Sequence, residues 1–246
     1  MSKLSVSNLS VEFGGRGGLF SEGRVVKAVQ DVSFDLDPGR TLGLVGESGC
    51  GKSTTGLAAM RLIEAKSGTV MFDDMDILKL KGANLRLLRS KIQIVFQDPF
   101  SSLNPRLTAA EIISEPLDIL NVGTRAERRV RVDELLTQVG LSPEHGGLFP
   151  HQFSGGQRQR LGIARALAPD PDILVCDEAV SALDVAIQAQ VLNLLARLQK
   201  ARGFGMLFIS HDLSVVRHVS DEVIVMYLGR IVERAPAQNL FDAPLH

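Results

Sequence analysis

The chain has 246 residues, a formal net charge of −1 and 45% apolar residues, which is enough for a real core and too apolar for a disordered chain. The near balance of 27 basic and 28 acidic residues argues against a nucleic-acid protein that works through an overall positive field. No uninterrupted apolar run reaches the ~18–20 residues of a spanning helix, and Met1-Ser2-Lys3-Leu4 opens no signal-peptide core; the expectation is a soluble cytoplasmic protein held at a membrane only by partners.

Taken in chain order, Leu4-Ser5-Val6, Val11-Glu12-Phe13 and Val32 to Leu36 alternate with the period of half-buried antiparallel strands, separated by the glycine loop 14–18. Asp37-Pro38-Gly39 is a turn, and Thr41 to Val45 is an apolar strand of a sheet covered on both faces. A helix is expected from Thr54 to about Ala65, then strands at Thr69–Phe72 and Ile92–Phe96. The stretch from about Ser102 to Leu141 is helical in composition and broken by Pro105, Pro116 and Gly123; its run Arg125, Arg128, Arg129, Arg131 reads as a solvated face. Further helices are expected at Ser154–Ala168, Val185–Lys200 and Leu213–Val219, with strands at Ile173–Cys176 and Met206–Ile209 and a hairpin over Val223–Val232. This alternation predicts an α/β core with parallel strands. Cys50 and Cys176 are far apart and lack metal-ligand spacing, which argues against a disulfide framework or structural zinc site.

Gly46-Glu47-Ser48-Gly49-Cys50-Gly51-Lys52-Ser53, followed by Thr54, matches the phosphate-loop pattern and stands between an apolar strand and a helix, the context that pattern needs. Glycines let backbone N–H groups curl around phosphate oxygens, Lys52 reaches the β and γ phosphates, and the Ser53 hydroxyl goes to Mg²⁺. Asp177 and Glu178 follow a buried strand at the sheet edge where α/β folds bind ligands; Asp177 fits the metal shell and Glu178 a base that prepares water. In Ser154-Gly155-Gly156-Gln157, a serine N-cap and two glycines leave a second helix end open to an anion. A single ATP needs one phosphate loop, so this second helix end points to two chains sharing nucleotides.

Together with Ser181-Ala182-Leu183-Asp184, Gln97 after an apolar strand and His211 after Phe208-Ile209-Ser210, these motifs resemble the ATP-binding subunit of an ABC transporter over nearly the whole chain. The resemblance implies a P-loop NTPase (RecA-like) α/β core with an N-terminal antiparallel β subdomain and an inserted α-helical subdomain near residues 98–160, the chain 1–246 being one cassette. It further implies that Asp184 lies in a loop meeting the partner cassette, that Gln97 contacts Mg²⁺ and senses the transmembrane subunit, and that His211 contacts the γ-phosphate. ATP and Mg²⁺ would bind between Lys52 of one cassette and Ser154-Gly155-Gly156-Gln157 of the other.

The run Gln97 to Arg106, the segment Ser181–Val185 with Gln188-Ala189-Gln190, and Met226–Glu233 are similar to the dipeptide/oligopeptide/nickel importer branch. That similarity implies ATP hydrolysis driving import of peptides or related solutes, nickel chelates or glutathione among them. The partners would be a second ATP-binding subunit, identical or more in keeping a paralogue, two transmembrane permease subunits and indirectly an extracytoplasmic solute-binding protein. No nucleic-acid partner is expected, and the place of action would be the cytoplasmic face of the membrane. The branch's C-terminal extension is expected to be absent beyond Pro244-Leu245-His246. A soluble ABC ATPase of assembly or repair type is the alternative; the interval between Ser53 and Ser154 holds several prolines and no sustained heptads, which disfavours the repair type.

Three positions depart from the family. Phe153 replaces a leucine, Ala179 replaces a proline that would bias Glu178 toward extended geometry, and Val25 and its neighbours offer no aromatic for adenine. Phe13 or Phe20, brought round by the glycine loop, could stand in for that aromatic, or aliphatic contacts could hold adenine weakly.

Overall fold

The computed structural model describes residues 3–14, 25–242 and 245. In chain order its elements are β1 (Leu4–Phe13), β2 (Val26–Leu36), β3 (Thr41–Gly46), α1 (Lys52–Ala59), β4 (Ser67–Phe72), β5 (Met75–Asp76), α2 (Gly82–Lys91), β6 (Ile92–Val95), α3 (Pro99–Ser102), α4 (Ala109–Leu120), α5 (Arg125–Gln138), α6 (Gly155–Leu167), β7 (Ile173–Asp177), α7 (Val185–Arg202), β8 (Gly205–Ile209), α8 (Leu213–Val219), β9 (Glu222–Tyr227), β10 (Arg230–Pro236) and α9 (Ala237–Asp242). Short 3₁₀ turns lie at Pro143–Gly147 and Pro150–Gln152. The elements gather into two compact units, one of Ser2–Lys81 with Leu207–His246 and one of Gly82–Met206. Within the described residues, no helix is long and apolar enough to cross a membrane.

In the first unit, β2, β1, β4 and β5 form an antiparallel sheet in that order. The β1/β2 register sets Leu4 against Leu36, Val6 against Phe34, Leu9 against Val32 and Val11 against Val29, so the buried face is aliphatic with one aromatic. The two short strands expected before residue 14 are one strand. Asn8 takes a left-handed φ of 52° and the register shifts after Val6, which puts the alternation out of phase midway without ending the pairing. The strand expected at Val32 begins at Val26. The glycine loop expected at 14–18 falls, apart from Gly14, outside the described residues. Also in this unit, β3 pairs in parallel with β9, and β9 runs antiparallel to β10, giving the hairpin the sequence indicates. β3 is buried from Thr41 to Val45, as a strand covered on both faces must be.

In the second unit, β6 and β7 pair in parallel, Ile92 facing Ile173 and Val95 facing Cys176. α4 and α5 each start with a capping box, Thr108 with Glu111 and Thr124 with Glu127, and bury Ile112, Ile113, Leu117, Leu135 and Leu136. Two expectations need correction. Pro116 lies inside α4 instead of breaking the helical stretch, because tertiary burial of the helix outweighs one lost backbone bond. The arginine run is only partly a solvated face: Arg128 donates through Nε to the Val122 carbonyl and pairs with Asp118, and Arg131 donates to the Ala168 carbonyl. The helix expected over Thr54–Ala65 is shorter, starting at Lys52 and ending at Ala59, with Arg61 at a left-handed φ of 55°. α2 and α9 were not foreseen.

Candidate functional site

The phosphate loop belongs to the first unit. Its backbone is shaped by what surrounds it: a Cβ on Gly46 (φ 148°) would lie 2.2 Å from the Met226 carbonyl oxygen, and one on Gly51 (φ 106°) would lie 2.3 Å from that of Ala28. Both contacts are with main chain, so only glycine fits. The Gly229 N–H donates to the Cys50 carbonyl at 2.9 Å and fastens the loop to the β9–β10 turn. Gly51 caps α1 without any side-chain hydrogen bond, which leaves the N–H groups of the first turn for an anion. Lys52 is 5% exposed; its ammonium donates to the carbonyls of Gly46 at 2.8 Å and Glu47 at 2.9 Å. Cys50 is a buried free thiol with Sγ 4.0 Å from that ammonium. An anion-shaped cradle with an uncapped helix start and a buried cation beside it fits a polyphosphate.

His211 is exposed in the turn between β8 and α8 of the same unit. The turn is rigid: the Ser210 N–H donates to the Leu44 carbonyl at 3.2 Å, and Asp212 caps α8 by accepting from Ser214 N at 2.9 Å and Ser214 Oγ at 2.6 Å. The Ser214 hydroxyl first, then the amides of Val215 and Ser214 and the charge of His211, hold the Asp212 carboxyl below its usual range against partial burial.

In the second unit the parallel register of β6 and β7 brings the strand ends together, so Gln97 after β6 meets the acidic pair at the end of β7. The Gln97 Nε2 donates to Glu178 Oε2 at 3.0 Å. Asp177 and Gln97 line one cleft of ≈ 450 Å³ with Phe96, Asp98, Ser101 and Ser102. Glu178 sits at a left-handed φ of 48°, not in the extended geometry that a following proline would favour, and its carbonyl accepts from Ser181 N at 3.1 Å to close the turn. Ala179 is buried there. Burial first, then Asp177, pushes the Cys176 thiol far up, which makes it an inert core residue.

Ser154 caps α6, accepting from Gln157 N at 3.3 Å while Gln157 Oε1 accepts from Ser154 N at 2.9 Å. Phe153 is buried edge-on to His145, so the exchange from leucine serves packing. Asp184 caps α7 by accepting from Ile187 N at 3.0 Å. Among features that sequence reasoning missed, the Arg158 guanidinium lies 4.0 Å over the Phe100 ring and Arg165 donates to the Ser102 carbonyl at 2.6 Å, so the segment after Gln97 is tied to α6. Both arginines follow the SGGQ motif on one face of α6, two turns apart, but their partners lie too far away in sequence to be paired by spacing. As for adenine, Phe13 is 46% exposed at the end of β1, while Phe20 lies outside the described residues.

The description of the family matching residues 29–181 is "ABC transporter". The chain is 56% identical to the glutathione import ATP-binding protein GsiA of Pectobacterium atrosepticum, over 99% of its own length but 39% of that protein's. It is 56% identical to the oligopeptide transport ATP-binding protein OppF of Bacillus subtilis, covering 90% of this chain and 73% of that one. Among solved structures it superposes with a TM-score of 0.83 at 30% identity on the dimeric ATP-binding cassette MJ0796 bound to ADP and Pi, covering 95% of this chain and 98% of that one. CbiO1 of Clostridium perfringens, part of an ABC transporter complex, also gives 0.83, at 26% identity over 98% of this chain and 90% of that one. With a strand-loop-helix phosphate cradle, a buried lysine and a family match over more than half its length, the chain belongs to the ABC transporter family and has its ATP-binding cassette fold.

Proposed function

We propose that the chain is the ATP-hydrolysing subunit that energises import of peptides or related small solutes, nickel chelates and glutathione included. The observation that carries the nucleotide half is the phosphate loop, shaped by main-chain contacts at Gly46 and Gly51 and holding a buried Lys52 at the open start of α1. The cargo class is supported by the names of relatives 50–56% identical, which read oligopeptide transport and glutathione import; assembly or repair, the alternative, has no such support. Residues 1–246 act as a single cassette.

In this reading Gly46 to Thr54 bind the phosphates of ATP. The Ser53 hydroxyl, the Gln97 carboxamide and the Asp177 carboxylate are hard oxygen donors, suited to Mg²⁺, which when bound neutralises charge on the β and γ phosphates. Glu178 orients the attacking water and takes its proton, while the Gln97 amide holds the carboxylate it donates to. His211 contacts the γ-phosphate. Ser154, Gly155, Gly156 and Gln157 of a second cassette, identical or a paralogue, close over the nucleotide with the Asp184 loop at the seam, and exclusion of water strengthens every charge contact inside. Two transmembrane permease subunits hold the pair at the cytoplasmic face of the membrane and take cargo from an extracytoplasmic solute-binding protein.

Replacing Lys52 with Ala removes a charge-assisted donor and lowers ATP affinity by ~10–100-fold in a fluorescent-nucleotide titration. Glu178→Gln keeps binding, slows hydrolysis by ~10²–10⁴-fold and accumulates an ATP-bound dimer in gel filtration. Hydrolysis by Glu178→Gln at the normal rate would show the base assignment to be wrong. Uptake of labelled peptides by a deletion strain, with and without the restored gene, tests the cargo.

A further inference from the structure

Gly156 has a neighbour that the motif does not reveal. A Cβ at this position would lie 2.4 Å from Ile187 Cγ2, while Ile187 Cβ would be at 3.7 Å, an ordinary contact. Gly155 meets the same region less tightly, its Cβ position lying 3.9 Å from Leu183 Cδ2. Ile187 is the third residue of α7, and its N–H is the one that the Asp184 carboxylate accepts at 3.0 Å. A β-branched side chain in a helix has one strongly preferred χ1, so turning Cγ2 away costs a disfavoured rotamer or a shift of α7. The cap at Asp184, the methyl of Ile187 and the first turn of α6 therefore form one continuous contact within a single chain.

We propose that Ile187 is a positioning residue for the signature: its Cγ2 methyl seats Gly156 and so sets where Gly155 and Gly156 present their N–H groups, those of Ser154 and Gln157 being used within the cap. The absence of a side chain at Gly156 is required by Ile187 of the same chain, in addition to any anion that approaches. Asp184 acts through this residue, because the carboxylate that meets the partner cassette also fixes the helix turn carrying the methyl. The inference rests on the reading that Ser154–Gln157 completes the partner's nucleotide site.

The test is a double-mutant cycle of Gly156→Ala, Ile187→Ala and the pair, on the full chain, with kcat for ATP, affinity for a fluorescent ATP analogue and thermal unfolding measured for each. Gly156→Ala alone should lower kcat at least about tenfold, since an ångström-scale misplacement costs up to ~100-fold, with affinity for the analogue unchanged. Ile187→Ala loses the seat and should itself lower kcat about threefold or more at unchanged affinity, a normal kcat there overturning the proposal; because it also removes the colliding methyl, the double variant should match Ile187→Ala to within about threefold and show a non-additive melting temperature. A folded double variant as slow as Gly156→Ala would overturn the proposal and leave the signature reading standing. Failure of Glu178→Gln to form any ATP-dependent dimer would sink the in-trans reading instead, and additive melting temperatures in the cycle would then overturn the contact as well.

Discussion

The phosphate loop and the signature both bring glycines to the start of a helix, yet the two segments exclude side chains for different reasons. At Gly51 the obstacle is the main-chain oxygen of Ala28 and the backbone is at φ 106°. At Gly156 the backbone is helical and the obstacle is a methyl of Ile187. A main-chain obstacle cannot be trimmed by substitution, whereas a side-chain obstacle can. The helix starts differ too: α1 has no side-chain cap, while α6 is closed by Ser154 and Gln157. In the proposed reading the first segment takes its anion directly, whereas the second satisfies its Gln157 N–H within its own chain.

The largest expected effect breaks the first half of this contrast. Gly51→Ala should abolish MgATP-dependent thermal stabilisation, with backbone strain alone costing ~1–3 kcal/mol, and no substitution at Ala28 should restore it. Recovery by any side-chain change at Ala28 would show that the obstacle is not main chain. A smaller effect is expected at Ser154: its replacement by Ala removes the α6 cap and should cost ~1 kcal/mol in urea unfolding, with Thr or Asp there recovering most of it. No loss would mean that Gln157 alone satisfies the helix start. The smallest effect concerns pH, where the neutral Ser154 cap should not respond but the Asp212 cap of α8 should. A carboxyl held below its usual range in the folded state contributes stability that is present above the unfolded value of ~3.9 and is lost as pH falls through the folded value. Asp212→Asn should therefore flatten the fall in melting temperature below about pH 4, and an unchanged fall would place that response elsewhere.

Much of this arrangement is legible in the residues themselves. Thr41–Val45 and Ile173–Cys176 are apolar at successive positions, so their burial and the chemistry at their ends follow from pattern alone. Other parts are not readable in a local window. Asn8 puts β1 out of phase midway, and α2, Gly82–Lys91, is so polar that periodicity hardly marks it. Pro116 looked like a stop because the burial of Ile112, Ile113 and Leu117 that sustains α4 is a tertiary fact. The candidate residues were found by motif, but their couplings were not. The Gln97–Glu178 hydrogen bond, the Phe100–Arg158 stack and the Gly156–Ile187 contact each join positions far apart in the chain.

The folded-back Lys52 carries a structural consequence. Two loop carbonyls accept from its ammonium, which ties the side chain to the opening residues of the loop. In the proposed reading a phosphate oxygen takes the third donor of this ammonium, so the two loop carbonyls need not be released. A lysine held in this way is also a staple between the start of α1 and the opening residues of the loop, so the shape of the cradle and the cation inside it depend on the same side chain.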